Sequence, residues 1–167
     1  MTDDLIYNER ISSPRTELLF LALTTLFALL LIWRVNAGRL DVLAAVFFFL
    51  FVVFLFYSVN YRMLIIRLNS ESLALTFGLF TWKVPLDNVE DCRLDEIPLL
   101  LRMGGAGIHF MMIRKRYRAS FNFLEYPRVV LALKRKVGPV QDISFSTRRP
   151  DDVLRLIGEA VSAKKAA

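Results

Sequence analysis

The stretch VLAAVFFFLFVVFLFYSVNY, residues 42–61, decides the fold of this chain. It has no charged residue over its whole length and is bounded by Asp41 and Arg62. At a rise of about 1.5 Å per residue, a helix of this length crosses the roughly 30 Å hydrocarbon core of a bilayer. The stretch therefore predicts a transmembrane helix.

A second uncharged stretch, LLFLALTTLFALLLIW, occupies residues 18–33 between Glu17 and Arg34. It is short for a transmembrane helix, but it can cross if Arg34 extends its side chain to the interface and the bilayer thins slightly. The connection to Asp41 is too short for anything but a helical hairpin. We predict helices at about 18–35 and 42–61, with both termini on one side.

A signal peptide is the competing interpretation of the first stretch, because residues 35–37, Val-Asn-Ala, resemble a small-residue cleavage site. The acidic residues Asp3, Asp4 and Glu9 oppose it, since a signal peptide begins with positive charge. Arg34 opposes it as well, because it would lie between the apolar stretch and the cleavage site.

Arginine residues at the ends of the two stretches predict the orientation. Four flank the terminal side, namely Arg10, Arg15, Arg62 and Arg67. Only Arg34 and Arg39 lie in the connecting loop. The positive-inside rule then predicts an integral protein of the cell membrane with both termini in the cytoplasm. Neither stretch contains an ionisable residue, so a transport role has little support.

Composition divides the chain into an anchor and one basic domain. The 167 residues are 55% hydrophobic, with a mean hydropathy of +0.44, and the apolar excess lies in the first 61. Residues 62–167 hold 18 of the 22 Lys and Arg but 11 of the 16 Asp and Glu, a balance of +7. This favours an anionic lipid, nucleic acid or acidic protein as neighbour. We predict a cytoplasmic segment at 1–17, a transmembrane hairpin at 18–61 and a domain at 62–167.

After residue 61 the apolar residues alternate with polar ones, which is typical of half-buried strands. This pattern covers residues 64–68, 73–77, 80–86, 92–94, 107–113, 117–123, 129–133 and 141–145. Pro150, followed by two aspartates and an apolar stripe, predicts a final helix. We expect a membrane-anchored, mainly β protein, with about seven or eight antiparallel strands in a sandwich or part-closed barrel and a C-terminal helix as its cap.

Three segments resemble bacterial pleckstrin-homology-like domains. LALTFGLFTWKVPLDNVED, residues 73–91, is similar to that family's strand, glycine turn and strand. GGAGIHF, residues 104–110, resembles its Gly-rich strand entry, and DISFSTRRPDDVLRLI, residues 142–157, resembles its last strand and capping helix. The resemblance covers about residues 63–163, and it extends to the two membrane helices that precede the domain.

The resemblance implies a binding or scaffolding module, and it brings no catalytic residues with it. Phosphoinositide-binding members of the wider superfamily carry basic residues around the first hairpin turn. Here that turn, residues 69–72, contains Glu71 and no Lys or Arg. We therefore do not expect that kind of head-group recognition.

Single reactive residues point to structure rather than chemistry. His109 is the only histidine and has no second ligand at metal-binding spacing, so we predict a structural strand residue. Cys92, the only cysteine, excludes an intrachain disulfide, and we expect it to be a small buried hydrophobe. Gly104, Gly105 and Gly107 match no phosphate-binding loop and predict a turn or bulge. We predict no catalytic residue, no metal and no cofactor.

Clustered cations are the best functional lead in the sequence. The candidate contacts to an anionic surface are Arg114, Lys115, Arg116, Arg118, Lys134, Arg135 and Lys136. If the group from Arg114 to Arg118 forms a hairpin tip, several cations cluster at one loop. If it forms a single strand, Arg114, Arg116 and Arg118 share one face, about 7 Å apart from each to the next. No aromatic stacking motif accompanies them, so nucleic acid is not the expected partner. Plain solubility is an equally good explanation of such charge runs.

We therefore expect a non-enzymatic, membrane-anchored pleckstrin-homology-like module that scaffolds or senses at the cytoplasmic membrane face. Its contacts would be with protein or with anionic lipid headgroups. The alternative is an accessory subunit that binds a larger membrane complex through the transmembrane hairpin. The partners expected besides lipid are another membrane protein or further copies of this chain.

Overall fold

The computed structural model describes residues 5–96, 107–113 and 115–166, which form two β-sheets and three α-helices. The first sheet contains β1 (Leu5–Ser12), β2 (Met63–Asn69), β3 (Ser72–Phe77) and β4 (Phe80–Pro85). The second contains β5 (Val89–Leu94), β6 (Gly107–Ile113), β7 (Arg116–Asn122), β8 (Arg128–Val137) and β9 (Val140–Ser146). The helices are α1 (Pro14–Asn36), α2 (Val42–Asn60) and α3 (Pro150–Ala166), and Leu86–Asn88 forms a short 3-10 helix.

Local capping fixes where the two long helices begin. Ser13 precedes α1, and its side chain accepts a hydrogen bond from the Thr16 amide at 3.1 Å. Asp41 precedes α2 and accepts from the Ala44 amide at 3.1 Å. With 23 and 19 residues, both helices are long and apolar enough to cross a membrane.

The two long helices pack on each other as a hairpin. Phe27 of α1 stacks on Phe54 of α2, with their ring centroids 5.4 Å apart. Nearer the sheets, the hydroxyl groups of Thr24 and Ser58 lie 3.5 Å apart. At the other end Arg34 pairs with Asp41 across the connecting loop. These contacts hold the hairpin together along its whole length.

The first sheet is antiparallel throughout, in the order β1-β2-β3-β4. The apolar alternation of β2 and β3 predicted one buried face, and this is confirmed. The residues of that face are 0% or 1% exposed, namely Leu64, Ile66, Leu68, Leu73, Leu75 and Phe77.

The edge strand β1 is the element that the sequence did not reveal. The sequence predicts a separate segment at residues 1–17, but Leu5–Ser12 pairs with β2, with Ile11 opposite Leu64. Ile11 is 0% exposed and the other β1 positions are at least partly exposed, so the strand lacks a periodic apolar signal. The domain is therefore built from both sides of the helical hairpin, and α1 begins at Pro14 rather than at residue 18.

The second sheet has the order β5-β8-β9-β7-β6. The prediction of purely antiparallel strands is wrong at one pair, because β7 and β9 run parallel, with Arg118 opposite Asp142. The hairpins β6-β7 and β8-β9 lie side by side, with β9 next to β7. After β7 the chain passes the position of β9, forms β8, and then returns to form β9 between β8 and β7. Parallel neighbours follow from that crossover.

One core joins the two sheets and α3. Phe77 meets Phe123 edge-on with centroids 5.1 Å apart, and Trp82 meets Phe121 at 6.2 Å. Val153 and Ile157 bring α3 into the same cluster. The coarse prediction of a mainly β fold with two long apolar helices and a C-terminal helix is confirmed. The described residues contain nine strands, because β1 adds one to the predicted set.

Candidate functional site

The two sheets have a helix-side end and a far end, and this polarity organises the candidate sites. Ser12 and Met63 pair where the chain enters α1 and leaves α2, which defines the helix-side end of the first sheet. The turn between β3 and β4 lies at the same end, since Phe77 pairs with Leu64 on one side and with Phe80 on the other.

Contacts between the sheets give the second sheet the same polarity. At the helix-side end the Tyr126 hydroxyl donates to the Ser12 carbonyl at 2.9 Å. At the far end the Asn88 side chain donates to the Arg135 carbonyl at 3.0 Å and accepts from the Arg135 amide at 2.8 Å. The last residues of β8 therefore lie at the far end.

The predicted cations gather at the far end of the second sheet. Lys115 and Arg116 lie at the turn between β6 and β7, whose far-end position follows from the pairing of β7 with the start of β9. Lys134, Arg135 and Lys136 are all exposed near the end of β8. Arg114 lies outside the described residues. A strand of seven residues spans about 20 Å, so this basic end is roughly that far from the helix-side end.

Two of the predicted cations belong to a structural ion-pair network. Arg118 is 5% exposed and donates to Asp95 at 2.9 Å, and its other terminal nitrogen lies 3.7 Å from Asp142. Arg116 donates to the same Asp142 at 2.7 Å. The interpretation of Arg116 and Arg118 as one open cationic face is thereby corrected, because Arg118 is buried and both are held by internal carboxylates.

The same network reverses the sequence alternation at the end of β5. Continued alternation from Cys92 predicts Leu94 inward and Asp95 outward, but Leu94 is 44% exposed and Asp95 is 6% exposed. The Asp95 amide also donates to the Arg128 carbonyl at 2.9 Å. Pairing with Arg118 draws Asp95 inward, since a buried guanidinium requires a negative partner.

The remaining far-end cations differ in whether a hydrogen bond or an ion pair holds their side chains. Lys134 donates to the Asp87 carbonyl at 2.7 Å, and Arg135 lies 3.5 Å from the Asp87 carboxylate. Lys136 is exposed, and Lys115 occupies the turn with a φ of 66°. Within the part of the chain that the structure describes, neither Lys115 nor Lys136 forms an ion pair. Together these four residues form an accessible basic surface, the far-end patch.

Other arginines surround the helices at the opposite end. The Arg15 side chain is 80% exposed and lies 3.3 Å from Glu125. Arg62 is 65% exposed and lies 2.6 Å from Glu17. Arg148 stacks over the Tyr126 ring, 5.3 Å from its centroid. The sequence indicates Arg15 and Arg62 only as orientation signals. Arg148 is distant from both in the sequence, and the fold places it at the same end, beside Tyr126.

The isolated reactive residues lie apart from these surfaces. Burial raises the pKa of the Cys92 thiol to about 12, so the thiol is protonated at neutral pH. Burial, followed by the positive charge of Arg128, lowers the pKa of His109 below its ordinary value. Gly107 opens β6 with a φ of 88°, and its Cα faces the Tyr61 ring. Gly104 and Gly105 lie outside the described residues.

A metal centre would need several ligands in one place. Among residues 5–96, 107–113 and 115–166, no three His, Cys, Asp or Glu side chains are grouped to hold a metal ion. Comparison with protein-family models, curated proteins and solved structures gives no match to this chain.

Proposed function

We propose that the chain is a non-enzymatic, membrane-anchored pleckstrin-homology-like module that presents its far-end patch to an acidic protein at the cytoplasmic membrane face. The two long apolar helices would anchor it in the cell membrane, with both termini in the cytoplasm. The pleckstrin-homology-like assignment rests on the sequence resemblance, together with two packed sheets and a C-terminal helix.

One observation carries this proposal: the anchor joins the helix-side end of the first sheet, and the basic patch lies at the opposite, far end of the second sheet. The connection between α2 and β2 is only Tyr61 and Arg62, so the domain has almost no freedom to turn over. A patch about 20 Å from the membrane surface lies beyond the roughly 8 Å Debye length of physiological salt. Its cations would act on a soluble partner rather than on the chain's own bilayer.

Site-specific photo-crosslinking in native membranes tests this proposal. A photoreactive residue at Lys136 should give a discrete adduct that disappears at high salt and when Lys115 and Lys134 are both replaced by Glu. A matched probe at Ser70, in the exposed turn between β2 and β3, should not give that adduct. If Lys136 gives no adduct, or one that charge reversal leaves unchanged, the far-end patch is not a partner surface.

The accessory-subunit alternative has its own structural feature. A shallow apolar groove lies at the loop end of the helical hairpin, lined by Leu31, Val35, Leu40, Asp41, Ala44, Ala45 and Phe48. A small exposed residue such as Ala45 lets a neighbouring helix approach closely. A photoreactive residue at Phe48 that gives the only strong adduct would favour the subunit role over far-end scaffolding.

Orientation needs a separate test, because it rests on the arginine count. Topology reporters fused after Ala167 and inserted at Gly38 should report opposite sides of the membrane, with Ala167 cytoplasmic. An extracytoplasmic signal at Ala167 would reverse the orientation and place the far-end patch outside the cell.

A further inference from the structure

Two exposed apolar side chains occupy the tip of the turn between β3 and β4. Leu79 is 82% exposed and Phe80 is 45% exposed. They lie at the helix-side end, where the Phe80 ring meets the exposed Phe56 of α2. The apolar surface of α2 therefore continues from the helix onto the sheet.

The turn is fixed against the end of α2. Gly78 has a φ of 52°, and a Cβ there would lie 2.6 Å from the Asn60 carbonyl oxygen. The Leu79 amide donates to the Asn60 side chain at 3.4 Å. The Phe80 ring meets Phe56 edge-on, with centroids 6.1 Å apart. The tip is thus held at one height beside the helix.

That height falls within the last turn of α2. Phe56 precedes Asn60 by four residues, which corresponds to about 6 Å along the helix axis. If α2 crosses the bilayer, its last turn lies at the boundary between headgroups and acyl chains. Phe80, in contact with Phe56, would lie at the same depth, where aromatic rings are favoured.

We infer that the turn between β3 and β4 is a third membrane contact, in which Leu79 and Phe80 insert into the interfacial region of the bilayer beside α2. This inference rests on the proposed membrane anchoring. Lipid is the occupant because the tip continues the lipid-facing surface of α2 and is held level with its last turn.

The contact would fix the tilt of the domain. The sheet order is β1-β2-β3-β4, so α1 and α2 attach at one side of the sheet and the tip lies toward the other. Neighbouring strands are about 4.8 Å apart, which separates β1 from β4 by about 14 Å. A support at that distance from the start of α1 resists rocking and keeps the far-end patch directed away from the membrane.

Depth-dependent fluorescence quenching tests the inference on the full chain. In a Cys92→Ala background, Leu79→Cys carries an environment-sensitive dye in liposomes of phosphatidylcholine and phosphatidylglycerol. Ser70→Cys at the far end serves as the aqueous control. Leu29→Cys, midway along α1 and 59% exposed, serves as the membrane control.

A membrane contact predicts that the dye at Leu79 is quenched at least threefold more by spin-labelled lipid than the dye at Ser70. Aqueous iodide should show the reverse order. If Leu29 is quenched by lipid and Leu79 behaves like Ser70, the third contact is wrong while the anchoring stands. If Leu29 also behaves like Ser70, the anchoring itself is wrong and the inference falls with it.

Discussion

Arg118 and Asp95 form a buried ion pair across the second sheet, with 2.9 Å between the guanidinium nitrogen and the carboxylate oxygen. Their side chains are 5% and 4% exposed. Removing one member of such a pair leaves the other charge buried in a low-dielectric environment without this counterion, which typically costs about 3–5 kcal/mol. We expect Arg118→Met to lower the free energy of unfolding by that amount.

Arg135→Met is the matched control for Arg118→Met. Its side chain is 78% exposed and its pairing with Asp87 is at the surface, so the loss should be below about 1 kcal/mol. Denaturant unfolding of the full chain in lipid nanodiscs, in a Trp33→Phe background and followed by the fluorescence of Trp82, which packs against the core, measures both. Equal losses would mean that the Arg118 pair contributes no more than a surface contact.

The edge strand β1 supplies the second prediction. Ile11 is 0% exposed, and Ile11→Ala should lower the free energy of unfolding by about 2–5 kcal/mol. Ile6 lies on the same strand but is 43% exposed, so Ile6→Ala should cost less than about 1 kcal/mol. If both substitutions are equally mild in the same unfolding measurement, β1 is not part of the folded core.

The same strand determines which residues a soluble fragment must include in order to fold. A fragment of residues 62–167 lacks β1, which leaves the edge of β2 unpaired and removes Ile11 from the core. We expect it to aggregate or to give few dispersed amide signals in NMR spectra, since an uncovered strand edge favours association. A well-dispersed spectrum from that fragment would show that β1 is dispensable.

Sequence patterns predicted the fold where burial is periodic and failed where partners come from distant parts of the chain. The apolar residues Leu64, Ile66 and Leu68 correctly predicted β2, because every second residue of that strand is buried. The strand β1 has only one fully buried residue, so it has no apolar alternation to reveal it. It forms because it pairs with β2, which is distant in the sequence.

The candidate site was predictable only in part. The charge runs located the far-end cations, because those residues are adjacent in sequence. Nothing local could show that Arg118 would meet Asp95 in the interior, since that pairing depends on the order of strands in the second sheet. The apolar tip at Leu79 was interpreted as an ordinary turn because its position beside Phe56 is a tertiary feature.

Two glycines with positive φ provide the third prediction. Gly78 and Gly138 have φ values of 52° and 60°, and any side chain there pays roughly 1–2 kcal/mol for the left-handed conformation. Nothing lies within 4 Å of a Cβ at Gly138, whereas the Asn60 backbone lies 2.6 Å away at Gly78. Gly78→Ala should therefore cost at least about 1 kcal/mol more than Gly138→Ala. Equal costs in the unfolding measurement would show that the turn is not held against α2.

The pH dependence of stability is the fourth prediction. Because the pKa of His109 is lowered in the folded protein, the unfolded chain binds its proton first as the pH falls. This residue therefore weakens stability below its ordinary pKa of 6.5 and has no such effect at pH 8. We expect thermal unfolding to shift downward between pH 7.5 and 5.5 by less in His109→Gln than in the unaltered chain. An identical shift in both would show that His109 titrates alike when folded and unfolded.

The last prediction separates the two basic surfaces by their effect on bound lipid. Arg15 and Arg62 lie at the ends of the helices, where each cation near an anionic membrane surface contributes about 1 kcal/mol. Replacing both with Gln should reduce the enrichment of spin-labelled phosphatidylglycerol around the protein by several-fold at 0.15 M salt. High salt should produce the same reduction in the unaltered chain.

The far-end patch provides the comparison in the same experiment. Lys134→Gln combined with Lys136→Gln also removes two charges, so net charge alone cannot distinguish the two double variants. These lysines lie about 20 Å from the helix-side end. At 0.01 M salt the Debye length is about 30 Å, so their charges would still reach the bilayer. The measurement is therefore made at 0.15 M salt, where the Debye length is about 8 Å. We expect lipid enrichment in this variant to match that of the unaltered chain. A loss equal to that of the arginine variant would mean that the far end contacts the bilayer, and the assignment of that patch to a soluble partner would be wrong.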